Sequence, residues 1–228
     1  MWSLFWRLYS AHLFADFPLQ TPAIIRQKNT TRGLFIHIAL VFLTATAVII
    51  PLALYRPILW TLPIIITVAH FLVDYLKSLV KNVDAKSSFL LFLIDQIVHL
   101  GSILLFVSLF AWGYSYGNPI PYFELSLAIF AIWGGPILIF QIKCTIKKVG
   151  KVGVYNEPFY RFAVIERVLL FLGLSASSLW LLLGGIIIPI IIRSLLIFNE
   201  ENVPVPIWEW IITIALALGA RFALGPIF

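Results

Sequence analysis

Residues 34–54 contain no Asp, Glu, Lys or Arg. A run of that length matches the roughly 20 apolar residues that an α-helix needs to cross a bilayer, where no water is on hand to satisfy backbone groups. Comparable runs recur at 58–80, 89–112, 125–142 and 162–183, and shorter ones at 1–17, 186–198 and 208–224. The chain is therefore expected to be all-α, a polytopic transmembrane bundle of about seven to eight helices. The first helix is short or half-spanning, because Pro18 ends it before it can cross. Residues 1–112 and 113–228 are read as two parts of a single integrated membrane domain. The sequence Gly134-Gly135-Pro136 predicts a kink in the fifth span.

Composition excludes several classes. With 61% hydrophobic residues, 11% charged residues and a mean hydropathy of +1.02, the chain does not read as a soluble globular protein. The net charge of +6 sits mostly in short connectors, which points to orientation in an anionic membrane and not to nucleic acid. The aromatic residues lie inside the apolar runs, so no platform for stacking bases is evident. Cys144 is the only cysteine, which excludes an intrachain disulfide and a multi-cysteine metal site. The N-terminus lacks a basic region followed by a small-residue cleavage site and is read as retained.

Inside these apolar runs stand three pairs of imidazole and carboxylate: His12/Asp16, His70/Asp74 and Asp95/His99. Each pair is four residues apart, which on a helix puts both side chains on one face, a turn from each other. Basic residues cluster in the first, third and fifth connectors, so those connectors are expected to be cytoplasmic and the N-terminus outside, in the plasma (inner) membrane. That orientation brings all three pairs, together with His37, Glu166 and Arg193, towards the cytoplasmic side. Ionisable groups are costly in a bilayer and normally face a protein interior or a water-filled cavity.

Six such groups, His12, Asp16, His70, Asp74, Asp95 and His99, are enough ligands for one or two divalent cations. Mixed imidazole and carboxylate ligation suits Zn, Mn or Fe. Lys77 and Glu166 are the candidate catalytic groups, with Gln20, Gln96, Arg167 and Arg193 as candidate substrate-binding groups. Lys77 also fits a snorkelling side chain, and an ion pair with Arg193 is the ordinary role for Glu166. His37 has no partner on its own helix and reads as a satisfied polar residue or as a neighbour that supports a ligand.

The motifs His12-Leu13-x-x-Asp16-Phe17-x-x-Gln20, His70-x-x-x-Asp74-x-x-Lys77 and Asp95-Gln96-x-x-His99 resemble those of a bacterial multi-pass membrane family, domain of unknown function 3307. The resemblance covers residues 8–112 and extends more weakly to Glu166-Arg167 and Arg193-Ser194, where the family carries a Lys-Ser pair. It implies that the motifs matter and brings no activity with it.

The expected function is a membrane metal-dependent enzyme. It would be a hydrolase or transferase acting on a lipid-linked or amphipathic phosphate substrate at the cytoplasmic leaflet, with a metal-activated water as nucleophile. A divalent-metal or proton transporter is the first alternative, since such pairs also resemble the sites of cation diffusion facilitators. Transport needs access from both faces, however, and 58–68 and 103–110 offer almost no polar path. The second alternative is a non-catalytic membrane partner whose His–Asp pairs only lock helices together.

Overall fold

Six stretches of the described residues satisfy their backbone hydrogen bonds as helix, and the residues at their ends explain where most of them begin and stop. The structure, a computed structural model, describes residues 1–21, 24, 27, 30–80, 84–147, 160–175 and isolated positions further on. Helix α1 spans Trp2–Asp16 and closes at Phe17, whose N–H reaches the Leu13 carbonyl just before Pro18. Helix α2, Thr31–Ala53, is capped by Thr30, whose hydroxyl accepts from the Gly33 N–H at 3.2 Å. A 3-10 turn, Pro57–Trp60, leads into α3, Thr61–Leu79. Pro63 lies in the first turn of α3, where its missing N–H costs no helical bond.

Helix α4, Ala85–Ala111, starts from Asp84, which accepts from the Ser87 N–H at 3.1 Å. It stops at Trp112 and Gly113, where Gly113 takes the left-handed φ of +79° that a helix C-terminus favours and a side chain resists. Helix α5, Ile120–Ile129, a π-helical turn, Phe130–Gly134, and helix α6, Gly135–Lys147, follow without a gap. Pro136 has no N–H to give the Ile132 carbonyl, so the regular ladder cannot run through this stretch and the wider turn takes its place. The break expected at Gly134-Gly135-Pro136 thus takes the form of a π turn. The helix itself begins five residues earlier than the span at 125, because Pro121 falls in a first turn that tolerates it. Helix α7 is Tyr160–Ser175.

Counting α5 to α6 as one, the described residues hold six helices and no strand, fewer than the seven to eight expected. The segments expected at 186–198 and 208–224 lie outside the described residues, apart from isolated positions. Four helical stretches are long and apolar enough to cross a membrane: Thr31–Ala53, Pro57–Leu79, Lys86–Ala111 and Ile120–Ile142. Helix α1, at 15 residues, is not one of them.

The chain forms two compact units, Met1–Ile129 with Gln141–Val152, and Phe130–Phe140 with Gly153–Phe228. In the first unit α1 packs against α2, α4 and α5, and α3 against α2 and α4. At one end the core is wholly apolar. Leu4, Phe5 and Leu8 meet Ala45, Ile49 and Ala53, Leu59, Leu62 and Ile66, and Ile103, Val107 and Ala111. Their spacing of three or four residues puts each set on one helical stripe. The alanines let backbones approach closely, which matters where lipid is as apolar as the core and packing has to hold helices together. Trp2, Tyr55, Trp60, Trp112 and Tyr114 are exposed around this end, as aromatic residues at a bilayer interface are. Between the ends the outward residues are apolar, among them Phe35, Leu43, Ile64, Leu72, Leu105 and Leu109.

In the second unit α7 packs on the π turn and carries Glu166 and Arg167, both buried. Gly185 comes so near α7 that a Cβ there would lie 2.5 Å from the Gly173 Cα, so only glycine fits.

Candidate metal centre

The opposite end of the first unit is polar inside. His12 and Asp16 lie in the last two turns of α1, and His37 in the second turn of α2. His70 lies at the middle of α3 and Asp74 one turn further on, and Asp95 lies in the first half of α4 with His99 at its middle. All seven are buried, none more than 7% exposed. At 1.5 Å per residue, His37 and His70 stand roughly 9 and 14 Å from the near ends of their helices, about two turns inside each.

Four of these side chains converge on one point. His37 Nε2 and His70 Nε2 are 3.0 Å apart. Asp16 Oδ1 lies 3.3 Å from His37 Nε2 and 3.5 Å from His70 Nε2. Asp74 Oδ2 lies 3.3 Å from the first nitrogen and 3.4 Å from the second. These are five of the six separations among the four atoms. Ligand bonds of about 2.0–2.1 Å to a tetrahedral zinc ion require edges of about 3.3–3.4 Å. Each carboxylate oxygen with the two imidazole nitrogens is thus spaced as three donors of one small divalent cation are spaced.

Three neighbours hold this cage. The His99 ring stacks on the His70 ring with centroids 4.0 Å apart and planes 18° off parallel, and His12 stands 5.3 Å from His70 and 4.9 Å from His99. His12 Nε2 is 3.7 Å from Asp16 Oδ2, the oxygen that does not face the two histidines. The Gln20 amide is 3.4 Å from both ring nitrogens of His37. Beyond His99, Asp95 places Oδ1 3.5 Å from His99 Nε2, and its Oδ2 accepts from Lys77 Nζ at 2.7 Å. The Gln96 amide is 3.4 Å from the same Oδ2.

Three overlapping sets of residues could each hold a metal ion: His12, Asp16 and His70; His37, His70 and Asp74; and Asp74, Asp95 and His99. Within each set the ligand atoms lie inside 4.8 Å of one another. Nε2 of His12 and His99, and Oδ1 of Asp16 and Asp95, complete no hydrogen bond of normal geometry. Buried polar atoms normally do, and a cation is among the few species that account for a cluster of such exceptions.

The six expected ligands all lie in this polar end, with Gln20, Lys77 and Gln96 at its edge. Glu166 and Arg167 belong to the second unit. Arg193 lies outside the described residues. The sequence reading undervalued His37. It is fully buried at the centre of the cage, in contact with His70, Asp16 and Asp74. Its place near the same end of the first unit as the pairs was the available signal. The requirement of a second polar residue on the same helix hid it, since a ligand needs partners only in space.

Fold and site together define a helical protein with membrane-length spans and a buried imidazole–carboxylate centre. Residues 4–122 match the family described as Protein of unknown function (DUF3307). The match covers more than half of the chain, and the chain belongs to that family. Every residue of the cage falls within the matched segment, whereas Glu166 and Arg167 do not. No curated protein and no solved structure matches the chain.

Proposed function

We propose that the chain is an integral-membrane metal-dependent hydrolase or transferase acting on a lipid-linked or amphipathic phosphate substrate. Its metal is a divalent transition ion such as Zn, Mn or Fe. The observation that carries this reading is the close set of His37, His70, Asp16 and Asp74 atoms, in which each carboxylate oxygen lies 3.3–3.5 Å from two imidazole nitrogens that are 3.0 Å apart. A divalent ion held there by His37, His70 and one carboxylate would keep a position open and would supply a Lewis acid for a phosphoryl oxygen.

The surroundings favour an amphipathic substrate. The centre runs from the middle of α3 and α4 to the C-terminal end of α1, so it opens towards one end of the first unit. The Lys77 side chain is 37% exposed, so an anionic head group arriving at that end meets its ammonium first. Gln20 and Gln96 offer amides at the same edge. By the distribution of basic connectors, this end faces the cytoplasmic leaflet of the plasma (inner) membrane. The apolar layer from Leu4 to Val107 argues against a cation route through the bundle.

A second reading rests on the same cage. Were all four residues to bind it, an ion there would have no open position, as in structural zinc sites, and would fasten α1, α2 and α3 without turnover. One experiment separates the readings. Purified protein, metal-loaded or stripped by chelator, is assayed for phosphate release from phosphatidic acid and polyprenyl phosphate in vesicles, beside His70→Ala. The enzyme reading expects release that requires both metal and His70. Bound metal with no turnover on any lipid phosphate would favour the fastening role, and site-dependent zinc or manganese flux into liposomes would favour transport.

A further inference from the structure

Asp95 and His99 share one face of α4, a turn apart, and neither belongs to the cage. Both are buried, Asp95 at 5% exposure and His99 at 1%. Asp95 Oδ1 and His99 Nε2 face each other at 3.5 Å and complete no hydrogen bond of normal geometry. An ordinary imidazolium–carboxylate bond would draw them to about 2.7–2.9 Å. Their separation is close to the one that two ligands of a small divalent ion keep. Lys77 Nζ donates to the other oxygen of Asp95, Oδ2, at 2.7 Å, so the oxygen that faces His99 is left for a ligand bond. The Asp74 carboxylate completes this set, with an oxygen within 4.8 Å of the Asp95 and His99 atoms. Asp74 also lines the cage, where its Oδ2 lies 3.3 Å from His37 and 3.4 Å from His70. A carboxylate that belongs to two adjoining ligand sets can give one oxygen to each.

We propose that Asp95, His99 and Asp74 form a second divalent-cation site, which Asp74 joins to the cage as a bridging carboxylate. This inference rests on the metal reading above and extends it from a single ion to a pair. The second set has three protein ligands, of which Asp74 is shared and Asp95 is already paired with Lys77. It is therefore the weaker site, and it fills after the cage. Paired metal ions commonly stand about 3.5–4 Å apart, a spacing that clamps the attacking and leaving oxygens of a phosphoryl displacement. A phosphate ester is the substrate class that such a pair serves.

The test is a titration of purified protein with manganese, followed by electron paramagnetic resonance, which reads both the free ion and the spectrum of the bound one. The parent should bind two equivalents in two steps, and the second step should bring the closely spaced hyperfine lines of an exchange-coupled pair. Asp95→Asn and His99→Ala should each bind one equivalent, with the lines of an isolated ion. A parent that saturates at one, two equivalents without coupling, or any count other than one in a folded variant would overturn the proposal and leave the metal reading standing. If zinc binds and manganese does not, equilibrium dialysis against zinc supplies the count, and two in the parent against one in Asp95→Asn is required. If neither variant folds, the parent decides alone. A parent that binds neither metal would remove the metal reading itself.

Discussion

The two ends of the first unit are built from the same helices and bury their interiors by different means. At the end that holds Leu4, Ile49, Leu62 and Val107, the helices meet through aliphatic side chains and small alanines. That contact is non-directional, and neighbouring side chains can partly close around a change. At the end that holds Asp16, His37, His70 and Asp74, the helices meet through charged and polar atoms at 3.0–3.5 Å. These contacts are directional and pay back the cost of burial only if a cation or a proton joins them. The difference separates an end held by shape from an end that depends on charge balance.

Substitutions can break or sharpen that contrast. The largest effect is expected for His37→Ala, which removes one corner of the cage and should leave purified protein without its metal. Chelator should lower the thermal unfolding temperature of the parent in detergent and leave that of His37→Ala unmoved. At the apolar end, Leu62→Ala should cost about 2–5 kcal/mol of stability, as large-to-small core changes do, with the metal content unchanged by elemental analysis. A loss of metal from Leu62→Ala as complete as that from His37→Ala would erase the distinction between the two ends. Gln20→Ala removes a side chain that touches His37 without joining the cage. It should weaken metal affinity about 10- to 100-fold in a competition titration against a chelator. Thr30→Ala, at the cap of α2, should cost only about 1 kcal/mol, with no change in metal affinity.

Much of this contrast was legible in the sequence, for definite physical reasons. The spans could be read because a bilayer admits little besides long apolar helices. His12/Asp16, His70/Asp74 and Asp95/His99 could be read because four-residue spacing puts two side chains on one helical face. His37 reads from sequence only as a satisfied polar residue or a supporting neighbour, because its partners, His70, Asp16 and Asp74, lie on other helices. The Lys77–Asp95 contact was hidden for the same reason, since it joins α3 to α4 across 18 residues of chain. The start of α5 at Ile120 was missed because Pro119, Pro121 and two neighbouring tyrosines resemble a loop, although proline suits a first helical turn. The two final helices expected in the chain and Arg193 lie outside the described residues.

The central claim is that two imidazoles and two carboxylates from three helices hold one divalent ion. X-ray absorption at the edge of the metal that co-purifies with the protein tests it most directly. The account predicts four nitrogen or oxygen neighbours at about 2.0–2.1 Å, with the outer scattering of two imidazole rings that falls to one ring or disappears in His37→Ala. A protein without metal, or a spectrum without imidazole scattering, would contradict it.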